Sequence, residues 1–237
     1  MELYPIRVLS VAEIFERNIE AMILSGKLKI GDKLPTENEL VEGMQINKNV
    51  VHKGIATLAN RGFLRIVPRH GVYVADYVEN GTAETLLAFM RVYDNDGKMD
   101  NKLIISTVRV RVILESAVIR ELADSRSEEE LERPLKVLAD IREKLSGANP
   151  PDNIWVGIKL AEEFHALCMA SENISIPIMM NPFSSCCAEF SRIWADQIGA
   201  MNAVAARETI YDNIKTGRGE YAVSYLENYC SDFYSKL

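Results

Sequence analysis

Histidine and cysteine are scarce in this 237-residue chain: His52, His70 and His165 are the only imidazoles, and Cys168, Cys186, Cys187 and Cys230 the only thiols. The thiols are too few and too irregularly spaced for a disulfide framework, and no C-x-x-C pair is present to suggest zinc or a redox dithiol, so they read as reduced core residues. With so little imidazole, a metal site would have to draw most of its ligands from carboxylates. No apolar run approaches the roughly 18 residues that cross a bilayer, and Met1-Glu2-Leu3-Tyr4-Pro5 lacks a basic-then-apolar leader pattern. The expectation is a cytoplasmic protein with no membrane partner. No glycine-rich phosphate loop precedes a helix, Ser184-Ser185 sits in no nucleophile elbow, and His165 has no spaced nucleophile. Catalysis is therefore not expected, and neither is a cofactor.

What is present is an ordinary globular composition, 48% hydrophobic and 26% charged, in a length that suits two compact domains. The net charge of -7 is unevenly shared. Residues 1–75 carry 10 Lys and Arg against 8 Asp and Glu, whereas residues 76–237 carry 17 against 26. Residues 43–75 hold Lys48, Lys53, Arg61, Arg65 and Arg69 and no acid at all, a block suited to facing phosphates.

Within those 75 residues, Val11, Ile14, Phe15, Ile19, Met22 and Ile23 recur at helical spacing between Ser10 and Gly26, which predicts a first helix. Thr36-Glu37-Asn38-Glu39 is a capping box that starts a second, ending around Gly43. Asn47 caps a third that runs to Arg61 and stops at Gly62. Val51, Ile55 and Leu58 share the inner face of that helix, leaving Lys48, Asn49, His52 and Lys53 at its exposed N-terminal end. Residues 63–67 and 72–75 read as short strands joined through Pro68-Arg69-His70-Gly71. This order gives a winged helix-turn-helix, in which a recognition helix reads bases and a basic hairpin tip grips the backbone.

The runs Gly31-Asp32-Lys33-Leu34-Pro35-Thr36-Glu37 with Glu39-Leu40, Ala56-Thr57-Leu58-Ala59-Asn60-Arg61-Gly62-Phe63-Leu64, and Gly71-Val72-Tyr73-Val74 resemble the N-terminal domain of GntR-family bacterial transcriptional regulators. The resemblance implies operator binding through Asn38, Asn47, Lys48, Asn49, His52, Lys53, Arg69 and His70. Asn38, Lys48 and His52 stand where that family usually has arginine, so the bidentate fork that arginine offers to guanine is lost there. A metabolite-binding or interaction module with a degenerate, non-DNA-binding head is the alternative.

Residues 76–81 are polar and turn-rich and read as a linker between a domain at 1–75 and another at 82–237. Periodic apolar segments at 82–93, 102–124, 128–145, 153–171, 175–198, 201–216 and 220–236 predict a bundle of about seven helices, with a capping box at Ser127-Glu128-Glu129-Glu130. The expected fold class is mainly α. Arg111-x-x-Leu114-Glu115, Phe164-His165 with Ala170-Ser171-Glu172-Asn173, and Ile214 with Ala222 make this half similar to the ligand-binding domain of the FadR branch of the same family. That resemblance implies an effector-responsive homodimer.

Many members of that branch hold a metal through one Asp or Asn and three histidines. Here only His165 matches, and the other positions fall on Ala161, Arg207 and Tyr229. Arginine cannot ligate a metal, so no metal is expected, although Glu162 near His165 leaves a weaker site open. Two readings of the interior remain. In one, Arg207 receives a carboxylate or other anionic effector, with Arg111, His165, Arg192 and Tyr229 nearby, and Arg207→Ala uncouples the response without unfolding the bundle. In the other, Arg207 pairs with Glu162, Glu163 or Glu208, and Arg111 with Glu115. Trp155, Phe190, Trp194 and Tyr225 are expected in the core.

Overall fold

The computed structural model describes residues 9–89, 101–125 and 128–236. The chain divides into two compact units, 1–98 and 99–237.

In the first unit, α1 (Val11–Leu24) starts at Ser10, whose hydroxyl accepts from the Glu13 N–H while the Glu13 carboxylate accepts from the Ser10 N–H at 2.9 Å. The same reciprocal box, made by Thr36 and Glu39, starts α2 (Glu37–Met44). That helix passes through Gly43 and ends with Gln45 in the left-handed region at φ 52°, one residue beyond the expected stop. The third helix, α3 (Lys48–Asn60), is capped by the Asn47 side chain accepting from the Asn49 N–H at 2.8 Å. Phe15, Ile19 and Ile23 of α1, Leu40 of α2, and Val51, Ile55 and Leu58 of α3 close over Phe63, Leu64 and Val74 as one core. The two long helices meet at Gly54, where an added Cβ would lie 2.4 Å from the Phe15 ring.

Strands β1 (Leu64–Val67) and β2 (Gly71–Val74) pair antiparallel with Leu64 opposite Val74 and Val67 opposite Gly71. On its other edge β2 bonds the segment before α2, through Leu34 N–H to Val72 C=O at 2.9 Å and Val74 N–H to Asp32 C=O at 2.8 Å. The wing is thereby held on both sides. Arg69 takes φ +65° at its tip, a left-handed geometry uncommon outside glycine.

Residues 76–81 form turns, as expected, but the boundary between units falls later. Helix α4 (Ala83–Phe89), expected to open the bundle, packs on the head: Ala88 is part of its core, and the Thr85 hydroxyl donates to the Arg61 carbonyl. Apolar burial, which the polar composition of the 76–81 linker does not reveal, sets this limit. The remainder of the expected 82–93 helix, and Ser127 of the expected capping box, lie outside the described residues.

The second unit contains, among the described residues, α5 (Asn101–Ser125), α6 (Glu128–Leu145), α7 (Asn153–Met169), α8 (Ser175–Met180), α9 (Ser184–Ile198), α10 (Ala200–Lys215) and α11 (Gly219–Tyr234). The single helix expected over 175–198 is two, separated by a 3-10 turn at Asn181–Phe183. Pro182 has no N–H to continue the ladder, and its ring opposes the preceding turn. Helix α7 packs against α6 and α9, α11 against α5, and α10 against α6, α9 and α11. The Ala170-Ser171-Glu172-Asn173 turn is fastened by Glu121 of α5, which accepts from the Ser171 hydroxyl at 2.7 Å and the Glu172 N–H at 2.5 Å.

Candidate functional site

All eight residues expected to meet DNA have exposed side chains within the first unit. They do different jobs. Asn47 spends its side-chain oxygen capping α3, so it positions the helix N-terminus more directly than it can read a base. Lys48, Asn49 and Lys53 project from the first two turns of α3, and Asn38 from the first turn of α2. His52, 73% exposed, places Nδ1 2.9 Å from the Glu37 carboxylate. A carboxylate only accepts, so Nδ1 carries the proton in this contact. At the wing tip the His70 Nδ1–H donates to the Pro68 carbonyl at 2.9 Å, leaving Arg69 as the extended cation.

Two details depart from a simple basic face. Arg61, part of the acid-free block, is half-buried and turned onto α1, where Nη1 reaches Glu20 at 2.9 Å and Glu16 at 3.1 Å. It fixes the C-terminal end of α3 and is not offered to phosphate. Conversely, Glu37 enters the face from α2, an acid that the linear block conceals.

In the second unit the expected effector residues divide. Arg207 of α10 is fully buried and doubly bonded to Glu163 of α7, Nε to Oε2 at 2.9 Å and Nη2 to Oε1 at 2.8 Å. Its Nη1 donates to Glu115 of α5 and, at 3.3 Å, to the Tyr229 hydroxyl of α11. Arg111 donates Nε to the other Glu115 oxygen at 3.0 Å and lies over the Phe164 ring, 4.0 Å from its centroid. Tyr211 donates its hydroxyl to Glu163. Two guanidiniums thus face two carboxylates, a formally neutral quartet that ties α5, α7 and α10 together and reaches α11 through the Tyr229 hydroxyl.

The quartet corrects the expectation of an external anion at Arg207: the place such an anion would take is filled by Glu115 and Glu163. Arg192 does not join it. It sits half-buried on α9, gripping Glu189 at 2.7 and 2.9 Å and Asp196 at 2.6 Å, and Asp196 also accepts from Asn153. His165 is half-buried on α7, while Glu162, its expected carboxylate neighbour, pairs with Lys159 at 2.7 Å. Glu208 pairs with Arg142 across α6 and α10. The residues do not fit a divalent ion, because a permanently protonated guanidinium occupies the centre and uses the interior carboxylates. Among the described residues, no cluster of three or more His, Cys, Asp and Glu is placed to hold a metal.

Burial by itself would raise the Glu115 carboxyl, but Arg207 and then Arg111 outweigh it and hold the group below its usual range. Burial drives Tyr211 and Tyr229 well upward. It also pushes the Cys186 thiol up to about 11 and Cys230 up to about 12, so the buried thiols stay protonated. Glu115 carries a pH signature. A depressed carboxyl contributes stability above its unfolded value near 4.3, and that contribution disappears as pH falls through the folded value. The urea midpoint of the bundle is expected to stay level above about pH 5 and to drop below about pH 4; in Glu115→Gln the acid limb attributable to this group should vanish.

Sequence reasoning paired Arg111 with Glu115 as one alternative but missed Tyr211 and did not separate Glu163 from Glu162. The signal was available: Glu163 lies at helical spacing from Leu160 and Leu167, both buried, whereas Glu162 faces out.

Residues 12–74 match the model for bacterial regulatory proteins of the gntR family. The chain is 28% identical over 208 residues to the HTH-type transcriptional regulator LutR of Bacillus subtilis (strain 168), covering 85% of this chain and 89% of that protein. It is 25% identical over 142 residues to the HTH-type transcriptional repressor NanR of Cronobacter sakazakii, covering 60% and 53%. The solved structure of Lar, which controls expression of the Listeria monocytogenes agr system, aligns at a TM-score of 0.61 over 97% of each chain with 14% identity, a likeness of fold.

Proposed function

We infer that this chain, whose head is a GntR-family helix-turn-helix domain, is a DNA-binding transcriptional regulator that works as a homodimer on a palindromic operator and responds to a small-molecule effector. The observation that carries this reading is the array of exposed Lys48, Asn49, Lys53 and Arg69 on α3 and the wing. In the proposed docking, the N-terminal end of α3 enters the major groove, Asn49 meets a base edge, and Lys53 and Arg69 meet phosphates. Two heads related by symmetry set the half-site spacing. No helix among the described residues is long and apolar enough to cross a membrane.

Selection of bound duplexes from random DNA at near-physiological salt should enrich a palindrome. Lys53→Glu is expected to weaken binding to every sequence alike and to reduce the salt slope by about 1 to 2, whereas Asn49→Ala should change which base is preferred at one position of each half-site. Equal effects of the two variants would contradict this docking. Failure of the native chain to enrich any sequence, with or without metabolites, would favour a module whose head no longer reads DNA.

A further inference from the structure

On α3, Lys48, Asn49, His52, Lys53 and Ala56 recur at helical spacing and share the exposed side of the helix. His52 stands one turn beyond Asn49, and Ala56, one turn further on, is too small to screen it. The ring is joined to α2 through Nδ1, 2.9 Å from the Glu37 carboxylate. A neutral imidazole has a single N–H, and the carboxylate claims it, so Nε2 is left as a bare acceptor. A second proton turns Nε2 into a donor while Nδ1 keeps its contact. Imidazole is the side chain that makes this change between about pH 5 and 8. On its own helix His52 is flanked by the cations Lys48 and Lys53. Of the elements packed against α3, namely α1, α2 and β1, α2 alone places an ion on the ring among the described residues. Glu39 of α2 is held by Thr36, Glu16 and Glu20 of α1 by Arg61, and no ion pair joins His52 to Arg17, Glu42 or Arg65.

We propose that His52 is a base-reading residue whose preferred base is set by its own protonation, and that Glu37 is the positioning residue that fixes the tautomer of its ring. While the ring is neutral, Nε2 accepts from an exocyclic amino group, N6 of adenine or N4 of cytosine. Once the ring is charged, Nε2 can only donate, which favours guanine, a base that presents two acceptors, N7 and O6, in the major groove. The second proton also offsets the acid that α2 brings to this face, so binding to all DNA strengthens in the same direction. The inference rests on the reading of the head as a DNA-binding domain, and adds to it which base edge α3 selects and under what condition.

The test uses the full chain in selections from random duplexes at about pH 8.5 and about pH 6, on either side of the imidazole range and at one ionic strength. Selected duplexes that differ at a single base pair are then compared by competition. The position met by His52 is the one whose preference relaxes in His52→Ala. The native chain is expected to prefer adenine or cytosine there at the higher pH and guanine at the lower, the ratio of affinities changing about tenfold between the two. His70→Ala should keep this change, because His70 lies on the wing, where its Nδ1–H is given to the Pro68 carbonyl. Glu37→Ala, which spares the Thr36 and Glu39 capping box, should lose the preference at the higher pH, since either ring nitrogen can then carry the proton, and keep guanine at the lower. The same preferred base at both pH values, a change that survives His52→Ala, or an adenine or cytosine preference undiminished in Glu37→Ala would overturn the inference. Enrichment of a palindrome without the change leaves the regulator reading standing and removes this one; enrichment of nothing at either pH removes both.

Discussion

Arg207→Ala is expected to destabilise the bundle by about 3 to 5 kcal/mol, the range for removing one partner from a buried ion pair. This reverses the sequence-based expectation that the substitution would uncouple an effector and spare the fold. Arg207 is 1% exposed and lies between Glu163 and Glu115, each 0% exposed on its side chain. Without the guanidinium, Glu115 keeps Arg111 and Glu163 keeps only the Tyr211 hydroxyl, so two buried carboxylates share one cation. Protonating one of them is the cheapest escape, so the variant should be less damaged at acid pH than at neutral pH, opposite in sign to the native profile. Urea unfolding followed by far-ultraviolet circular dichroism at pH 7 and pH 5 measures both effects. A loss below about 1 kcal/mol at pH 7 would mean the guanidinium is not holding the carboxylates as described.

Gly157→Ala should cost at least about 2 kcal/mol, toward the upper end of the usual overpacking range. Elsewhere in a helix interior the same change is worth up to about 1 kcal/mol in favour of alanine, so the sign alone is diagnostic. The Cβ would lie 2.5 Å from the Ala188 carbonyl oxygen and 2.8 to 2.9 Å from the Cβ and backbone nitrogen of Arg192. Backbone cannot swing aside as a side chain does, so α7 and α9 must separate. That movement would disturb the Arg192–Asp196–Asn153 chain on one side and loosen Glu163 on the other. Thermal denaturation compared with Gly147→Ala, a glycine in the turn-rich segment between α6 and α7, reads the effect; equal melting temperatures would show that the helices are not in contact at this glycine.

The head was largely legible because its signals are local. Two capping boxes, an Asn cap and the apolar face of α3 each follow from residues within one or two turns, and hydrogen bonds within that distance enforce them. The wing follows from short β-rich runs around Pro68 and Gly71. Where long-range packing decides, the reading fails. Nothing within residues 82–89 indicates that Ala88 belongs to the head core, and Arg61 looks available until Glu16 and Glu20 arrive from 41 to 45 residues away. The break at Pro182 was readable from ring sterics and was overridden by the periodicity on both sides. In the bundle interior, sequence reasoning placed Arg111 and Arg207 in one site but could not choose between an external anion and Glu163, since both satisfy the same guanidinium. Only the register of α7 against α10 settles that choice.

The neutral quartet has a consequence for how descendants of this sequence can diverge. Each of Arg111, Glu115, Glu163 and Arg207 is tolerated because the others are present, so a single replacement exposes the remainder as unpaired charge. Replacing all four by apolar residues of similar volume is close to neutral in principle, yet every stepwise route to it crosses a strongly destabilised intermediate. The four positions are therefore historically locked: lineages should keep all of them or lose them in concert, and a homologue carrying only part of the set should show a compensating residue, or a bound ion, in the vacated place.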